Sequence, residues 1–373
     1  MNLIFTSESR IEELKKTIAA DSRMKNELTI RAEEKMKSPD FSVTHHKSPA
    51  LSGDIHDYFS EGPYWWPDPS NPDGPYIRRV GEFNPDRFNH HANDLRSMAE
   101  AVAVLCQAGT YLENRKYFQK AASLIGVWFL DEKTRMNPNL NYAQAIRGIC
   151  AGRGIGIIDT AFLLAVINGA NLMDYAGEFN NELRELKSWF AEYSLWLQTS
   201  KNGLEEKEHP NNHSNWWNTQ VAAFCAFSGN NETLEYCFDR FFNYVLPTQT
   251  GADGSFTDEI SRTRSYHYEI YNLDASALIC EIAHHRGVDL WNAAHSDGRG
   301  MKKSIEFFKP YYENPFLWKH EQIAPDCLCG EVYPMKLAQM RFGDAELERI
   351  NFSRRKNIIP CALWCHLGML DLI

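Results

Sequence analysis

Apolar residues recur at helical spacing along most of the chain. In the segment 94–108, Leu95, Met98 and Val102 fall on one face of a helix, because residues three and four apart lie on the same side. The same periodicity predicts helices at 8–38 (one or two), 114–130, 157–167, 182–198, 219–228, 232–246, 271–285, 290–308 and 346–351. Strand-like alternation is weak throughout. Consecutive helices joined by polar loops predict an all-α fold, an incomplete (α/α) toroid or barrel.

The segment 40–93 interrupts the helical pattern. Its prolines exclude long helices, and they stand at Pro49, Pro63, Pro67, Pro69, Pro72, Pro75 and Pro85. A loop of this length in a compact domain is usually functional or disordered, and its many aromatic residues argue against disorder. We interpret it as a lid or wall over a cleft; the alternative is a loop pinned across the outside of the helices. No linker is evident, so residues 1–373 are expected to form one domain.

The charge and the cysteine content limit which classes of partner and which cellular compartment we expect. The net charge of −10 argues against a nucleic-acid partner, which needs a basic surface, but not against an anionic sugar bound by a few local cations. Nine scattered cysteines favour free thiols in a reducing compartment. The start lacks the apolar core of a signal peptide, and no apolar run is expected to span a membrane. We therefore expect no membrane partner and a cytoplasmic protein, or a periplasmic or secreted one if a signal was removed.

Two dense polar and aromatic segments carry the candidate chemistry. The first is Asn211-Asn212-His213-Ser214-Asn215-Trp216-Trp217, and the second runs from Asp253-Gly254-Ser255-Phe256 through Arg262, Arg264, Tyr266, His267 and Tyr268 to Asp274. Together they supply amides, imidazoles, guanidinium groups and phenols. Such groups can remove a proton from carbon beside a carboxylate and expel an oxygen leaving group.

Six motifs can be compared with known families. They are Tyr64-Trp-Trp-Pro-Asp-Pro69, Pro75-Tyr-Ile-Arg-Arg79, Met136-Asn-Pro-Asn-Leu-Asn-Tyr-Ala-Gln144, Gly152-Arg-Gly-Ile-Gly-Ile-Ile-Asp159, Asn211-Asn-His-Ser214 and Asp253-Gly-Ser-Phe with Arg262-Thr-Arg-Ser, Tyr268 and Asn272-Leu-Asp274. These motifs resemble the alginate lyase domain family, more closely polysaccharide lyase family 38 than family 5. The match runs from residue 40 to residue 290. The resemblance implies an incomplete (α/α) barrel and β-elimination on a uronate polymer, with no catalytic metal and no cofactor.

Asn212 and His213 fit the first two roles in such an elimination. Removal of H5 from a uronate pushes charge into its carboxylate, and the Asn212 amide can donate hydrogen bonds there. The alternative for Asn212 is a helix cap. His213 fits the general base, since a neutral imidazole accepts protons near neutral pH; the alternative is a core histidine. His209 and His213 have zinc-ligand spacing, but Pro210 opposes a helix there and no third ligand is evident, so no metal is expected.

Arg262 and Tyr268 complete the expected catalytic set. Tyr268 is the candidate proton donor to the leaving oxygen, and on one substrate epimer it is also a candidate base. Arg262 is placed to hold the substrate carboxylate and to stabilise the phenolate. The spacing between them is one residue shorter than the family 5 pattern, which leaves Arg264 and, more weakly, Tyr266 as rivals. A surface helix with solvated arginines is the alternative for the whole segment.

Other side chains are candidates to bind sugar rings or their carboxylates by stacking, hydrogen bonding or charge. The alternative for each of them is packing or solvation. They are Lys47, Tyr64, Trp66, Arg78, Asn141, Tyr142, Gln144, Arg153, Asn211, Trp216, Arg264 and His267.

These residues together predict a polysaccharide lyase that cleaves a 4-linked uronic-acid polymer such as alginate, polymannuronate or glucuronan. Two alternatives stay open. An (α/α)-barrel glycoside hydrolase acting on uronate oligosaccharides needs two opposed carboxylates, for which Asp253, Asp258, Glu259 and Asp274 are available. A non-catalytic uronate-binding protein needs the aromatic and basic residues alone. The identity of the polymer depends on cleft shape, which the residue pattern does not specify.

Overall fold

The computed structural model describes residues 3–323 and 332–354, and this part of the chain is predominantly helical. The α-helices are α1 Glu8–Ala20, α2 Ser22–Lys35, α3 His90–Tyr111, α4 Arg115–Ile125, α5 Leu163–Tyr175, α6 Asn180–Thr199, α7 Lys201–Lys207, α8 Asn212–Ser228, α9 Asn231–Arg240, α10 Leu246–Gln249, α11 Thr257–Ile260, α12 Ser265–His284, α13 Met301–Glu313, α14 Tyr333–Phe342 and α15 Ala345–Arg354. Short 3₁₀ segments lie at Val43–His45, Gly154–Phe162 and Pro315–Leu317, and π turns at Gly126–Leu130 and Phe241–Val245. The strands are β1 Phe59–Glu61, β2 Trp65–Trp66, β3 Ile77–Arg78 and β4 Tyr142–Ala145.

Tertiary contacts divide the chain into two compact units. The described part of the first unit comprises residues 3–205 and 224–230, and that of the second comprises 206–223, 231–323 and 332–354. The expectation that 1–373 forms one domain stays a prediction.

The core of the first unit is built on α3 and α5, which pack against each other. A side chain at Gly169 of α5 would place its Cβ 3.1 Å from Val102 Cγ1 and 3.2 Å from Cys106 Sγ on α3, so a glycine permits this close helix contact. Among the described residues, one segment, Gly154–Tyr175, has the length and composition of a membrane span, which corrects the expectation that no apolar run reaches that length. Because 78% of its apolar window is buried, it also has the character of a core helix.

The proline-rich segment 40–93 is tied to the first unit by backbone pairing. Strand β1 pairs in parallel with β4, and β2 pairs antiparallel with β3. The glycines of the 152–156 motif allow the chain to approach β4 closely: a Cβ on Gly152 would lie 2.1 Å from the carbonyl oxygen of Asn141, and one on Gly156 would lie 2.6 Å from Ala143 Cβ. These glycines therefore serve backbone packing, and the lid or wall role of 40–93 stays a prediction.

The second unit is organised around residues 212–223 of α8 and around α12, which are almost entirely buried. Buried amides join them, because Asn215 Nδ2 donates to Asn272 Oδ1 at 2.7 Å and to Ser276 Oγ at 2.8 Å. Both helices begin earlier than the apolar periodicity predicts, α8 at Asn212 instead of 219 and α12 at Ser265 instead of 271. Helix α13 begins later, at Met301 instead of 290. The polar first turns of α8 and α12 contain the residues of the two chemical motifs.

Candidate active site

The first turn of α8 presents the Asn-Asn-His motif. Pro210 precedes the helix, and Asn211 caps it, since its Oδ1 accepts a hydrogen bond from the backbone N–H of His213 at 3.2 Å. The residue that caps α8 is therefore Asn211 and not Asn212. Asn211 is buried, and its carbonyl accepts a hydrogen bond from Gln249 Nε2 at 2.8 Å. The cap fixes the direction in which Asn212 and His213 leave the helix.

Asn212 is fully buried and is held by Glu259 of α11. Its backbone N–H and its side-chain Nδ2 both donate to Glu259 Oε1, each at 2.7 Å. Asn212 Oδ1 and Glu259 Oε2 are buried without a hydrogen-bond partner. Since Nδ2 carries two hydrogens, Glu259 uses one and leaves the second for another acceptor. The amide is thus fixed in orientation with donor capacity to spare.

His213 is held by Glu206, the residue before the end of α7. The imidazole Nδ1 lies 2.7 Å from Glu206 Oε1, and the Glu206 side chain is 0% exposed. The ring of His209 lies 4.9 Å from that of His213, and burial lowers the pKa of His209. In α8, the His213 side chain is 16% exposed, while Asn212 and residues 214–227 are buried. The histidine is therefore the residue of this helix start that reaches the surface.

Arg262 and Tyr268 lie against each other at the start of α12. The guanidinium carbon of Arg262 is 3.8 Å from the centroid of the Tyr268 ring, and its Nη1 is 3.8 Å from Glu259 Oε2. Within α12, residues 265–283 are buried with the exception of Tyr268. The phenol and the imidazole of His213 thus share one property: each is a partly exposed side chain on a helix that is otherwise packed into the core.

Electrostatic interactions connect the two segments. Burial raises the pKa of the Glu259 carboxyl, and hydrogen bonds from Asn212 together with the charges of Arg262 and His213 act in the opposite direction. Glu259 therefore interacts with three of the four expected catalytic residues. The structure brings the amide, the imidazole and the guanidinium group around one buried carboxylate, with the phenol beside the guanidinium.

Trp216 and His267 are buried, and Arg264 is half-buried. Trp216 is 1% exposed and packs on Tyr271 with ring centroids 4.8 Å apart, so its ring serves the core. His267 is 4% exposed, and burial, then the charges of Arg264 and Arg262, lowers its pKa to about 3. Both side chains pack in the core, and the substrate-binding roles expected for Trp216 and His267 stay predictions. Arg264 is half-buried, precedes α12 and forms a backbone bridge with Gln322.

In the first unit, Gln144 and Arg153 belong to an internal network. Gln144 Nε2 donates to Asp159 Oδ1 at 3.1 Å, while its backbone carbonyl and Oε1 accept from Arg153 at 2.9 and 3.2 Å. Gln144 is buried with φ of 47°, the left-handed region that is strained for a residue with a side chain. Burial lowers the pKa of Arg153 and raises that of Asp159. This network fixes the Arg153 guanidinium near Trp65, 5.9 Å from the ring centroid.

The remaining candidates of the first unit are more exposed. Lys47, Arg78 and Asn141 are exposed, and Tyr64, Trp66 and Tyr142 are half-buried. Asn141 Oδ1 accepts from Trp196 Nε1 at 3.3 Å, and Tyr142 packs against the buried cluster of Ala50, Phe59 and Ala145. Trp66 lies beneath the Arg79 guanidinium at 4.8 Å. Their roles in substrate binding stay predictions.

Two residues of the site escaped the sequence analysis. Glu206 stands in a run of charged residues that is typical of a solvated helix face, and Glu259 entered only as one of several carboxylates. The structure buries both and joins each to a catalytic candidate. Within residues 3–323 and 332–354, no group of three or more His, Cys, Asp or Glu side chains has an arrangement suited to a metal ion.

Comparison with known proteins now supplies the family. The family model described as alginate lyase matches residues 42–318. The chain belongs to the alginate lyase family. A crystal structure of an alginate lyase from Bacteroides ovatus is 33% identical and covers 96% of each chain, with a TM-score of 0.89. Alginate lyase A1-III from Sphingomonas species A1 is 17% identical, covers 90% of this chain and 88% of its own, and has a TM-score of 0.61. A search among curated protein sequences gave no match.

These findings establish the class of the enzyme and of its fold. It is a polysaccharide lyase, as the sequence predicted. The likeness to the two solved structures confirms the predicted all-α fold of the (α/α) toroid class. The catalytic and binding roles of the individual residues stay proposals, which rest on the geometry described above.

Proposed function

We propose that this lyase cleaves alginate by β-elimination at C5 of a 4-linked uronate. The observation that carries the proposal is the convergence of Asn212, Arg262 and His213 on Glu259, with Tyr268 beside Arg262. The Bacteroides ovatus relative, described as an alginate lyase, supports alginate as the polymer. Two variants of the Sphingomonas enzyme, one with a histidine and one with a tyrosine replaced, are complexed with a tetrasaccharide, which supports an oligosaccharide ligand.

The proposed reaction assigns one step to each group. Asn212 Nδ2 and the Arg262 guanidinium donate to the uronate carboxylate and stabilise the charge that develops there. His213 Nε2 takes the proton from C5. The electrons of the C5–H bond form the C4–C5 double bond, the bond from C4 to the bridging oxygen breaks, and the Tyr268 hydroxyl donates a proton to that oxygen. The products are a new sugar end and an unsaturated uronate.

The two carboxylates bonded to catalytic candidates, Glu206 and Glu259, suit elimination better than hydrolysis. A glycoside hydrolase needs two acidic side chains that reach opposite sides of the glycosidic bond. Glu206 and Glu259 are fully buried, and each is hydrogen-bonded to a protein side chain. In this arrangement they support other residues instead of facing a sugar.

A panel of uronate polymers tests the proposal. Alginate, polymannuronate and glucuronan are incubated with the enzyme, and ultraviolet absorbance of the conjugated double bond is followed with and without a chelator. We expect absorbance to grow on alginate and to persist with chelator. New reducing ends without absorbance would show hydrolysis, and binding without either product would show a non-catalytic protein. Turnover that a chelator abolishes and calcium restores would contradict the metal-free mechanism.

A further inference from the structure

Glu206 is a buried acid aimed at an imidazole. Its side chain is 0% exposed, and Oε1 lies 2.7 Å from Nδ1 of His213. Burying a carboxylate is costly unless it is paired or hydrogen-bonded. At this distance the contact is a charge-assisted hydrogen bond, and an anionic carboxylate has only acceptor atoms, so the proton lies on Nδ1. The other ring nitrogen, Nε2, then carries the free lone pair.

The turn between α7 and α8 holds this pair in place. Ser214 Oγ donates to the carbonyl oxygen of Lys207 at 2.5 Å, and Arg240 Nη2 donates both to that carbonyl and to Ser214 Oγ, the latter at 2.9 Å. Arg240 is buried, so the tether is protected from water. The end of α7, which carries Glu206, is thereby fastened to the start of α8, which carries His213.

We propose that Glu206 is the positioning residue of the general base. It holds His213 in the Nδ1–H tautomer with Nε2 ready to accept the C5 proton, and it stabilises the imidazolium that this transfer creates. The inference rests on the proposed elimination, in which His213 is the base. Glu206 acts through His213, because its carboxylate is hydrogen-bonded to the Nδ1 side of that imidazole, away from Nε2.

The other charged and titratable groups around His213 make this support necessary. The His209 ring is tilted by 46° against the His213 ring, and its pKa is lowered by burial and then by His213 itself. Arg262 acts electrostatically on His209 and lies near Glu259, and its positive charge opposes an imidazolium. Glu259 interacts electrostatically with His213, but the two hydrogen bonds that it accepts come from Asn212. Glu206 is the carboxylate that is hydrogen-bonded directly to the imidazole.

Glu206→Gln tests the role through the pH dependence of the rate. Glutamine keeps the size of the side chain and removes its charge. We expect kcat to fall about 10- to 100-fold, part of the ~100- to 10,000-fold that a general base contributes. The low-pH limb of kcat should move about one pH unit to lower pH, because the charge that stabilises the imidazolium is gone. KM should change little, since Glu206 is buried away from the ligand.

Three comparisons make the test specific. Glu208→Gln removes the same charge two residues away from an exposed position and should leave both kcat and the low-pH limb unchanged. Glu206→Asp restores the charge and should return the low-pH limb towards its original position. In a His213→Ala background, Glu206→Gln should cause little further loss, because its effect passes through the histidine.

Nitrogen NMR of the imidazole keeps this inference separate from the proposed function. The His213 signals, assigned by their loss in His213→Ala, should show a protonated Nδ1 in the original enzyme and a mixture of tautomers in Glu206→Gln. An enzyme that shows this tautomer but forms no double bond on any polymer would overturn the proposed function alone. An active enzyme whose low-pH limb and His213 signals are unchanged by Glu206→Gln would overturn the positioning role.

Discussion

Two polar clusters in the molecule contain the same kinds of side chain and differ in how fully their hydrogen bonds are formed. In the first unit, Asp159 accepts from Ser60 Oγ at 2.6 Å, from Tyr58 Oη at 3.1 Å and from Gln144 Nε2 at 3.1 Å. In the second unit, Glu259 accepts two hydrogen bonds, both from Asn212 and both on one oxygen. Each cluster has a carboxylate, an amide, a phenol and an arginine; Glu259 is fully buried and Asp159 is half-buried.

The difference lies in the atoms that are left over. In the second unit, Asn212 Oδ1 and Glu259 Oε2 are buried without a hydrogen-bond partner. Buried polar atoms are nearly always satisfied, so an exception needs a reason, and a functional role is one of them. The Asp159 cluster binds its own members and holds Arg153 in place, whereas the Glu259 cluster leaves two acceptor oxygens unpaired and keeps one hydrogen of Asn212 Nδ2 for a ligand. Chemistry is therefore expected in the second unit, and support in the first.

Exposure separates the two phenols in the same way. Tyr58 is fully buried, and burial, followed by the charge of Asp159, raises its pKa well above the usual value. Tyr268 is half-exposed on a buried helix. A proton donor must reach its acceptor, so the two tyrosines are suited to different tasks.

Replacing each tyrosine by phenylalanine should give the largest contrast. Tyr268→Phe keeps the ring under Arg262 and removes the hydroxyl, so the bridging oxygen must leave without a proton. General acid catalysis contributes ~100- to 10,000-fold, and we expect a loss of that size in kcat with binding of polymer retained. Tyr58→Phe should instead lower stability by about 1.5–3 kcal/mol, the value of a hydrogen bond to a charged group, with kcat within a few-fold.

Turnover by ultraviolet absorbance and stability by urea unfolding measure these two outcomes. A folded Tyr268→Phe enzyme with nearly unchanged turnover would contradict the assignment, and the proton would then come from another group or from water. A Tyr58→Phe enzyme that is stable but inactive would remove the distinction between the clusters.

Replacing Asn212 and Gln144, the amide residues of the two clusters, by alanine should give the next largest difference between the clusters. Asn212→Ala removes donors that act on developing charge, and we expect kcat to fall ~100-fold or more, with a smaller effect on KM. Gln144→Ala breaks the link between Arg153 and Asp159 and should affect stability and KM more than kcat. Steady-state kinetics on polymer check both. If Asn212→Ala leaves kcat unchanged, its amide serves only to satisfy Glu259.

Much of the fold follows from apolar periodicity, and the site shows where that signal ends. Helices such as α3 and α6 were expected because Leu95, Met98 and Val102, or Leu183, Leu186 and Phe190, repeat at helical spacing. The first turn of α8 has no such repeat. Its amides are buried because partners such as Asn272 satisfy them, and those partners are distant in sequence. Periodicity identifies buried apolar side chains. It does not identify polar side chains that are buried because they are hydrogen-bonded to other residues.

The sequence motifs identified the four catalytic candidates. They did not identify the residues that hold those candidates in place. Asn212, His213, Arg262 and Tyr268 stand in segments whose residue types already point to proton transfer. Glu206 and Glu259 have no such context, because a charged residue in a helical stretch is normally solvated. Trp216 and His267 show the opposite case, because residue types that suit sugar binding are packed into the core. Only three-dimensional contacts distinguish these cases.

The smallest expected effect concerns a property that the two units share, a buried histidine with a lowered pKa. Burial lowers the pKa of His267 in the second unit to about 3 and that of His91 in the first unit to about 4, from a usual value of 6.5. Below pH 6.5 the unfolded chain therefore binds protons that the folded chain does not. The stability that each histidine contributes is present above pH 6.5 and is lost as the pH falls towards 3 or 4. The slope is at most about 1.4 kcal/mol per pH unit for each histidine.

Urea unfolding between pH 7.5 and pH 5 tests this for each unit. His267→Gln and His91→Gln remove the titrating group, so the free energy of unfolding of each variant should depend less steeply on pH than that of the original enzyme. The absolute stability also changes, since packing is altered, and the informative quantity is the slope. Equal slopes for His267→Gln and the original enzyme would show that His267 is accessible to protons in the folded state. This would favour its predicted role in contacting substrate, and the contrast between a partly exposed His213 and a core His267 would have to be abandoned.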